Sequence, residues 1–252
     1  MAIDPELLEN IRAYLVQVAG GYLRNTVREP YVTCVVCTTP SPGYARCYPC
    51  NSHFSTWRER LADAVGCLVY AVGGRQSGYV MRGYKATPPV SEHVDIVTLL
   101  CFAGLALHTS CAARLVGAPV THWTTVPSLP AKLGDHPMRR LVARVAQGSE
   151  VVLTATPGII ASPRDVDPLH FSASAELPAG SHVLVLDDTW TGCGHAQSAV
   201  LALRAAGAQH VSVLVVARWI NEGYGDNAAF VRDRLTRDYD TRLCPWTGGD
   251  CS

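Results

Sequence analysis

The chain has 252 residues, 48% hydrophobic and 17% charged, which is enough for one substantial α/β domain with a small appendage and excludes a disordered chain. Lysine plus arginine and aspartate plus glutamate balance at 21 each, which excludes a protein built mainly to coat nucleic acid or an anionic membrane and leaves room only for a local basic patch. Ten cysteines call for a cause.

The opening stretch, MAIDPELLENIRAYL, is acidic early and has no continuous apolar core, so it does not read as a secretory signal. Ile3, Leu7, Leu8, Ile11, Leu15, Val18 and Leu23 recur at helical spacing and predict a packing helix. Residues 31–54 change character: Cys34 and Cys37 form one CxxC pair and Cys47 and Cys50 another, with nine residues between and a Pro-Ser-Pro-Gly turn inside. Two such knuckles present four thiolates to one ion, which suits a closed tetrahedral zinc site that braces a loop and has no open position for chemistry. An oxidised or redox-active pair is the alternative; His53 could substitute for one cysteine but reads rather as a bystander. The expected compartment is the cytoplasm, where paired cysteines are metal ligands more often than disulfides.

Cys67 to Val72 predicts a strand, followed by a Gly-rich segment carrying Arg75, Arg82 and Lys85 with Tyr79 and Tyr84. Those cations are either a solvated turn or anion-binding residues at a mouth. Residues 92–117 form the longest helical stretch; its apolar run from Ile96 to Leu107, about 12 residues, is too short to span a bilayer. His122 to Val126 predicts a strand running into Pro127 and Ser128, then a loop and a helix bearing Arg139, Arg140 and Arg144. Ser128 sits either in an anion-binding loop or in an ordinary βα turn. Val151 to Thr156 predicts another strand, and residues 157–181 a long loop or edge hairpin, with a short strand over 170–174.

Val183 to Leu186 then run, fully apolar, into Asp187 and Asp188, a short loop (Thr189, Trp190, Thr191, Gly192, Cys193, Gly194) and a helix that Gly207 ends. A wholly apolar strand is one buried on both faces, as in a parallel α/β sheet. Ligands bind such sheets beyond the carboxyl ends of the strands, and loop amides with a helix N-terminus attract an anion there. The two carboxylates add acceptors for hydroxyls or a metal; a strand-end turn or another acidic magnesium pocket is the alternative. Val211 to Ala217 predicts a further buried strand, and residues 226–237 a helix. No internal repeat stands out. Cys244 and Cys251, with six residues between them, are too few for a metal site of their own; they are free thiols, or the tail folds back toward the first cysteine cluster.

Four apolar residues, two acidic ones and a small hydroxyl-bearing loop resemble the phosphoribosyl pyrophosphate (PRPP) signature of type I phosphoribosyltransferases. With the CxxC pairs ahead of it, the chain from about Cys34 to Arg218 resembles the ComF-type, amidophosphoribosyltransferase-like branch. The resemblance implies an α/β fold: a type I phosphoribosyltransferase-like parallel sheet flanked by helices, with a small N-terminal zinc-binding module. It implies residues 1–60 as N-terminal helix and four-cysteine zinc module, and 61–252 as the transferase-like domain. Asp187 and Asp188 would take the ribose hydroxyls, directly or through Mg²⁺. Thr189, Thr191, Gly192, Cys193, Gly194 and His195 would cradle the 5′-phosphate, and Val126, Pro127, Ser128, Lys85, Arg139 and Arg140 the pyrophosphate. Cys34, Cys37, Cys47 and Cys50 would hold structural Zn²⁺. The implied reaction is Mg-dependent transfer of 5-phosphoribosyl to a nitrogen nucleophile with release of pyrophosphate. The rival reading is a non-catalytic PRPP- or nucleotide-sensing or DNA-uptake accessory protein. Gly192, Cys193 and His195 stand where the family has threonine, glycine and threonine, so the phosphate end departs from the pattern. Neither the acceptor nor the oligomeric state is legible.

Overall fold

The computed structural model describes residues 4–131, 134, 136–158, 162 and 164–251. In chain order the helices and strands are α1 (Pro5–Ala19), α2 (Tyr48–Trp57), β1 (Ala64–Val72), α3 (Gln76–Gly83), α4 (Ser91–Val116) and β2 (His122–Thr125). There follow α5 (Pro137–Val142), β3 (Ser149–Glu150), β4 (Leu153–Ala155), β5 (Phe171–Ala173), β6 (His182–Trp190), α6 (Gly194–Ala205), β7 (His210–Ile220) and α7 (Asn227–Arg234).

Five strands form one parallel sheet in the order β1-β7-β6-β2-β3. The expected α/β class is therefore observed, with cysteine-bearing loops near the N-terminus. β6 and β7 are the longest central strands and bury almost every residue, because helices and loops cover both faces. On one face α1, α3, α4 and α5 enclose a core that includes Leu15, Val97, Leu100, Leu184 and Leu214. On the other, α6 and the cysteine loops pack over Val183, Val185, Val213 and Val215. Burial of these aliphatic side chains, at roughly 25 cal/mol per Å² of apolar surface, is the main stabilising term.

Three differences from the sequence reading have physical causes. The predicted Val151–Thr156 strand is not in the parallel sheet: Ser149–Glu150, just before it, pairs with β2, and within it Leu153–Ala155 forms an antiparallel hairpin with β5. Its buried-exposed-buried alternation fits a strand with one wet face, not a strand covered on both. The Gly-rich segment after β1 is helix α3, where Gly78 lets the helix approach so closely that a Cβ would strike the Val72 carbonyl. Finally, α4 runs 26 residues and is long and apolar enough to cross a membrane, beyond what the Ile96–Leu107 run suggested. In this fold it is a core helix: 56% of its most apolar window is buried inside the protein, and it packs against α1, α3, β1 and β7.

Candidate active site

β2 leads outward to β3, whereas β6 leads the other way to β7, so the sheet's topological switch lies between β2 and β6. Such a switch opens a crevice at the carboxyl ends of the two strands. A cleft of about 620 Å³ lies there, lined by Val126, Pro127 and Ser128 from the end of β2 and by residues 187–196 from β6 and α6. The acidic pair and its following loop thus face the predicted Val126–Ser128 loop across one cavity, with Arg82, Lys85, His136 and Arg164 on its walls.

β6 continues further than its apolar run: Asp187, Thr189 and Trp190 still pair with β7, and the loop proper is only Thr191–Cys193. Trp190 sustains the strand because its side chain is buried, 1% exposed, in the core under the cysteine loops. Asp187 and Asp188 therefore point to opposite faces of a rigid strand. They also titrate differently. Burial, then the charge of Asp188, pushes Asp187 up to about 7, against the pull of the Asp188 amide and Lys85. Asp188 is buried too, but Lys85, the Tyr84 hydroxyl and His136 outweigh that cost and hold it below the ordinary carboxylate range. Lys85 Nζ lies 2.6 Å from Asp188 Oδ2, and the same oxygen accepts a hydrogen bond from Tyr84 Oη.

The loop then turns sharply. Cys193 adopts φ +66°, the left-handed conformation that favours glycine, and N-caps α6. The adjacent glycines are not interchangeable with it: Gly194 passes so close to the Arg164 carbonyl that a Cβ would collide, whereas Gly192 faces open space. Cys193 Sγ sits 3.1 Å from His53 Nδ1 on α2. Contact with Cys50, and after it His53, brings the Cys193 thiol down to about 6, while the hydrogen bond that His53 Nδ1–H donates to the Cys193 thiolate raises the imidazole. His53 is thus tied to the candidate phosphate loop and stands outside the cysteine tetrad.

Cys34, Cys37, Cys47 and Cys50 converge with their sulfurs within 4.8 Å of one another, and Cys37 and Cys47 are 3.7 Å apart. Tetrahedral zinc–sulfur bonds of about 2.3 Å need sulfurs about 3.8 Å apart, so the tetrad fits such an ion. Buried Arg218 lies within electrostatic reach of this cluster and donates to the Trp190 and Thr191 carbonyls, the latter at 2.9 Å. The cluster, Arg218 and the loop are therefore one packed unit.

The remaining predicted residues are spread more widely. Arg139 pairs with Glu150 at 2.6 Å and lines a neighbouring 210 Å³ cavity with Ser128 and His136. Arg140 lines a third cavity of 440 Å³ beside Lys85. Thr189, Thr191 and His195 line the main cleft. Sequence reasoning missed Tyr84 as a partner of Asp188, and His136, Arg164 and Arg218 altogether. Only Tyr84, next to Lys85, carried a usable signal; the others reach the site through folds of the chain that no motif marks.

No protein-family model matches this chain, and no curated protein matches it. Among solved structures it is similar to a purine phosphoribosyltransferase from Pyrococcus horikoshii Ot3, with 16% identity over 50% of this chain and 87% of that one, at a TM-score of 0.30. It is also similar to a hypoxanthine phosphoribosyltransferase from Staphylococcus aureus, with 13% identity over 62% and 86% of the two chains and a TM-score of 0.28. Likenesses this distant carry no functional conclusion, which has to come from the cleft.

Proposed function

We propose that the chain is a type I phosphoribosyltransferase-like protein of ComF type that binds PRPP with Mg²⁺ in the switch-point cleft and transfers 5-phosphoribosyl to a nitrogen nucleophile, releasing pyrophosphate. One observation carries the reading: a pair of acidic residues near the carboxyl end of a buried parallel strand, with a tight turn into a helix N-terminus two residues beyond them, all lining one cleft. That arrangement offers hydroxyl acceptors and an anion seat in the same cleft.

Asp187 faces the cleft and accepts only a local amide hydrogen bond among the described contacts, so it is the acceptor for the ribose diol or for the cation. Carboxylate oxygens of this kind suit Mg²⁺, which would neutralise the leaving pyrophosphate. Asp188, bound by Lys85 and Tyr84, sets the position of Lys85 beside the Val126–Ser128 loop. The amides of Thr191 to His195 and the hydroxyls of Thr189 and Thr191 receive the 5′-phosphate. Departure of pyrophosphate leaves an oxocarbenium-like C1, and the chain's contribution is orientation and charge complementarity rather than a covalent nucleophile. The Cys34–Cys50 tetrad holds structural Zn²⁺, braces the loop through Arg218, and belongs with residues 1–60 as a module on the domain formed by 61–252, in a cytoplasmic protein.

Calorimetry with PRPP and Mg²⁺ tests this. The double variant Asp187→Asn, Asp188→Asn is expected to lose PRPP binding while keeping its fold; unchanged affinity sinks the assignment. The satisfied state of Asp188 and the left-handed Cys193 favour a second reading, a PRPP sensor. A pyrophosphate-release assay over amine and base acceptors separates the two, since binding without turnover across the panel favours the sensor.

A further inference from the structure

The tail that follows α7 ends in a second cluster of ligand side chains. His108 and Cys111, one turn apart on α4, meet Cys244 and Cys251 with all four ligand atoms within 4.8 Å of one another. His108 Nδ1 lies 2.8 Å from Cys251 Sγ, and Cys111 Sγ lies 3.3 Å from Cys251 Sγ, too far for a disulfide bond of about 2.05 Å. His108, Cys111 and Cys244 are 2%, 4% and 2% exposed.

We propose that His108, Cys111, Cys244 and Cys251 form a second, structural zinc site, with three thiolates and one imidazole, independent of the Cys34–Cys50 tetrad. Three observations beyond proximity support it. First, the imidazole is oriented for ligation. Its Nε2 is 2.9 Å from the Thr241 carbonyl, which can only accept, so Nε2 carries the proton and the Nδ1 lone pair faces the thiols. A backbone carbonyl fixing the tautomer of a ligand histidine is the usual outer partner of such a site. Second, the tail repeats the turn that carries the first cluster. In that turn Cys34 N–H donates to the Thr39 carbonyl at 2.8 Å and Thr38 N–H to the Cys34 carbonyl at 2.9 Å, inside a Thr33–Pro40 bridge. In the tail Cys244 N–H donates to the Gly249 carbonyl at 2.8 Å and Gly248 N–H to the Cys244 carbonyl at 2.8 Å, inside a Leu243–Asp250 bridge. Thr38 and Gly248, at equivalent positions, both have positive φ, 59° and 78°. Arg28 lies between the two turns and donates to the equivalent carbonyls of Val35 at 3.1 Å and Pro245 at 2.8 Å. Third, charge is compensated: three thiolates and Zn²⁺ leave one negative charge, and an Arg114 guanidinium nitrogen lies 3.3 Å from Cys111 Sγ.

The two turns differ where their ligands do. Thr247 occupies the place of Cys37, so the tail turn offers one thiolate, Cys251 just past the bridge offers another, and α4 supplies the remaining two ligands. Four protein ligands close the coordination sphere, so the ion ties the tail to α4 and takes no substrate.

Elemental analysis of the full-length protein purified without chelator tests the site. Two zinc ions per chain are expected, falling to one in Cys244→Ser and in Cys251→Ser, with circular dichroism unchanged. Cobalt exchange into the wild type is expected to give a thiolate charge-transfer band about 1.75-fold that of Cys244→Ser, Cys251→Ser, in proportion to seven against four thiolates. The wild-type count decides even where a variant fails to fold. One zinc per chain that vanishes in Cys34→Ser overturns the proposal, as does an intact mass showing a Cys111–Cys251 disulfide. A single zinc that survives Cys34→Ser and vanishes in Cys244→Ser upholds this site and removes the metal from the first.

Discussion

At the scale of single residues, the two aspartates that look alike in the sequence are unequal in the fold. Asp188 is neutralised by Lys85, whereas Asp187 is pushed up to about 7 by burial and by its neighbour's charge. Because that value lies above the ordinary one, folding favours the protonated form. The stability so gained is complete below the usual carboxylate range and lost as pH rises through about 7. Asp187→Asn is therefore expected to gain stability relative to wild type between pH 5 and pH 8. The gain is bounded by about 1.4 kcal/mol per pH unit for one proton and reduced by the cleft's water. Thermal melts across that range check it, and a constant difference between the two proteins refutes it. The acidic pair and its neighbouring loop were legible because strand, carboxylates and helix start are contiguous. Lys85 on Asp188 was not, since it lies 103 positions away and only the packing of α3 against the sheet brings it there.

Among the elements, β6 and the loop after β2 follow from local patterning, and their residues line one cleft. Helix α3 was hidden by its glycines, which in sequence read as a turn and in the fold allow close packing against β1. The join between β1 and the cysteine loops rests on one buried side chain. Tyr70, 0% exposed, donates to the Thr38 carbonyl at 2.7 Å and accepts from Val27 N–H at 3.3 Å. Tyr70→Phe leaves both groups unpaired in the interior and is expected to cost about 1–3 kcal/mol. Denaturant unfolding measures this, and a loss within a few tenths of a kcal/mol would show that water replaces the hydroxyl. The repeated turn at Cys34 and Cys244 was invisible to sequence comparison, because the two segments share the first cysteine and a backbone hydrogen-bond pattern but hardly any side chains.

For the molecule as a whole, the parallel sheet was predictable from apolar strands alternating with helical stretches, and the first tetrad from its spacing. The convergence of α4 with the tail was not, because a pair of cysteines reads as incomplete until His108 and Cys111 arrive from the other end of the domain. The cysteine tetrad, Arg218 and the candidate phosphate loop lie together, so stripping the metal proposed for the tetrad should reach the cleft. Removal with a strong chelator is expected to speed amide exchange over 34–50 and also over 191–194, measured by hydrogen–deuterium exchange with mass spectrometry. Acceleration confined to 34–50 would mean the loop is held by the sheet alone.

The seam between the first helix and the tail has a consequence in time. Arg12 bonds Thr241, Arg24 bonds the Leu235 carbonyl, and Asn25 exchanges hydrogen bonds with Asp240, across separations of 211 to 229 positions. Each contact closes a loop of nearly the whole chain, an entropic cost that only late structure can offset. During synthesis from the N-terminus, Arg12 and Arg24 leave the ribosome long before their partners exist. Residues 235–241, made more than 200 positions later, thus complete the environment of residues 12–25, and the order of manufacture runs against the order of assembly.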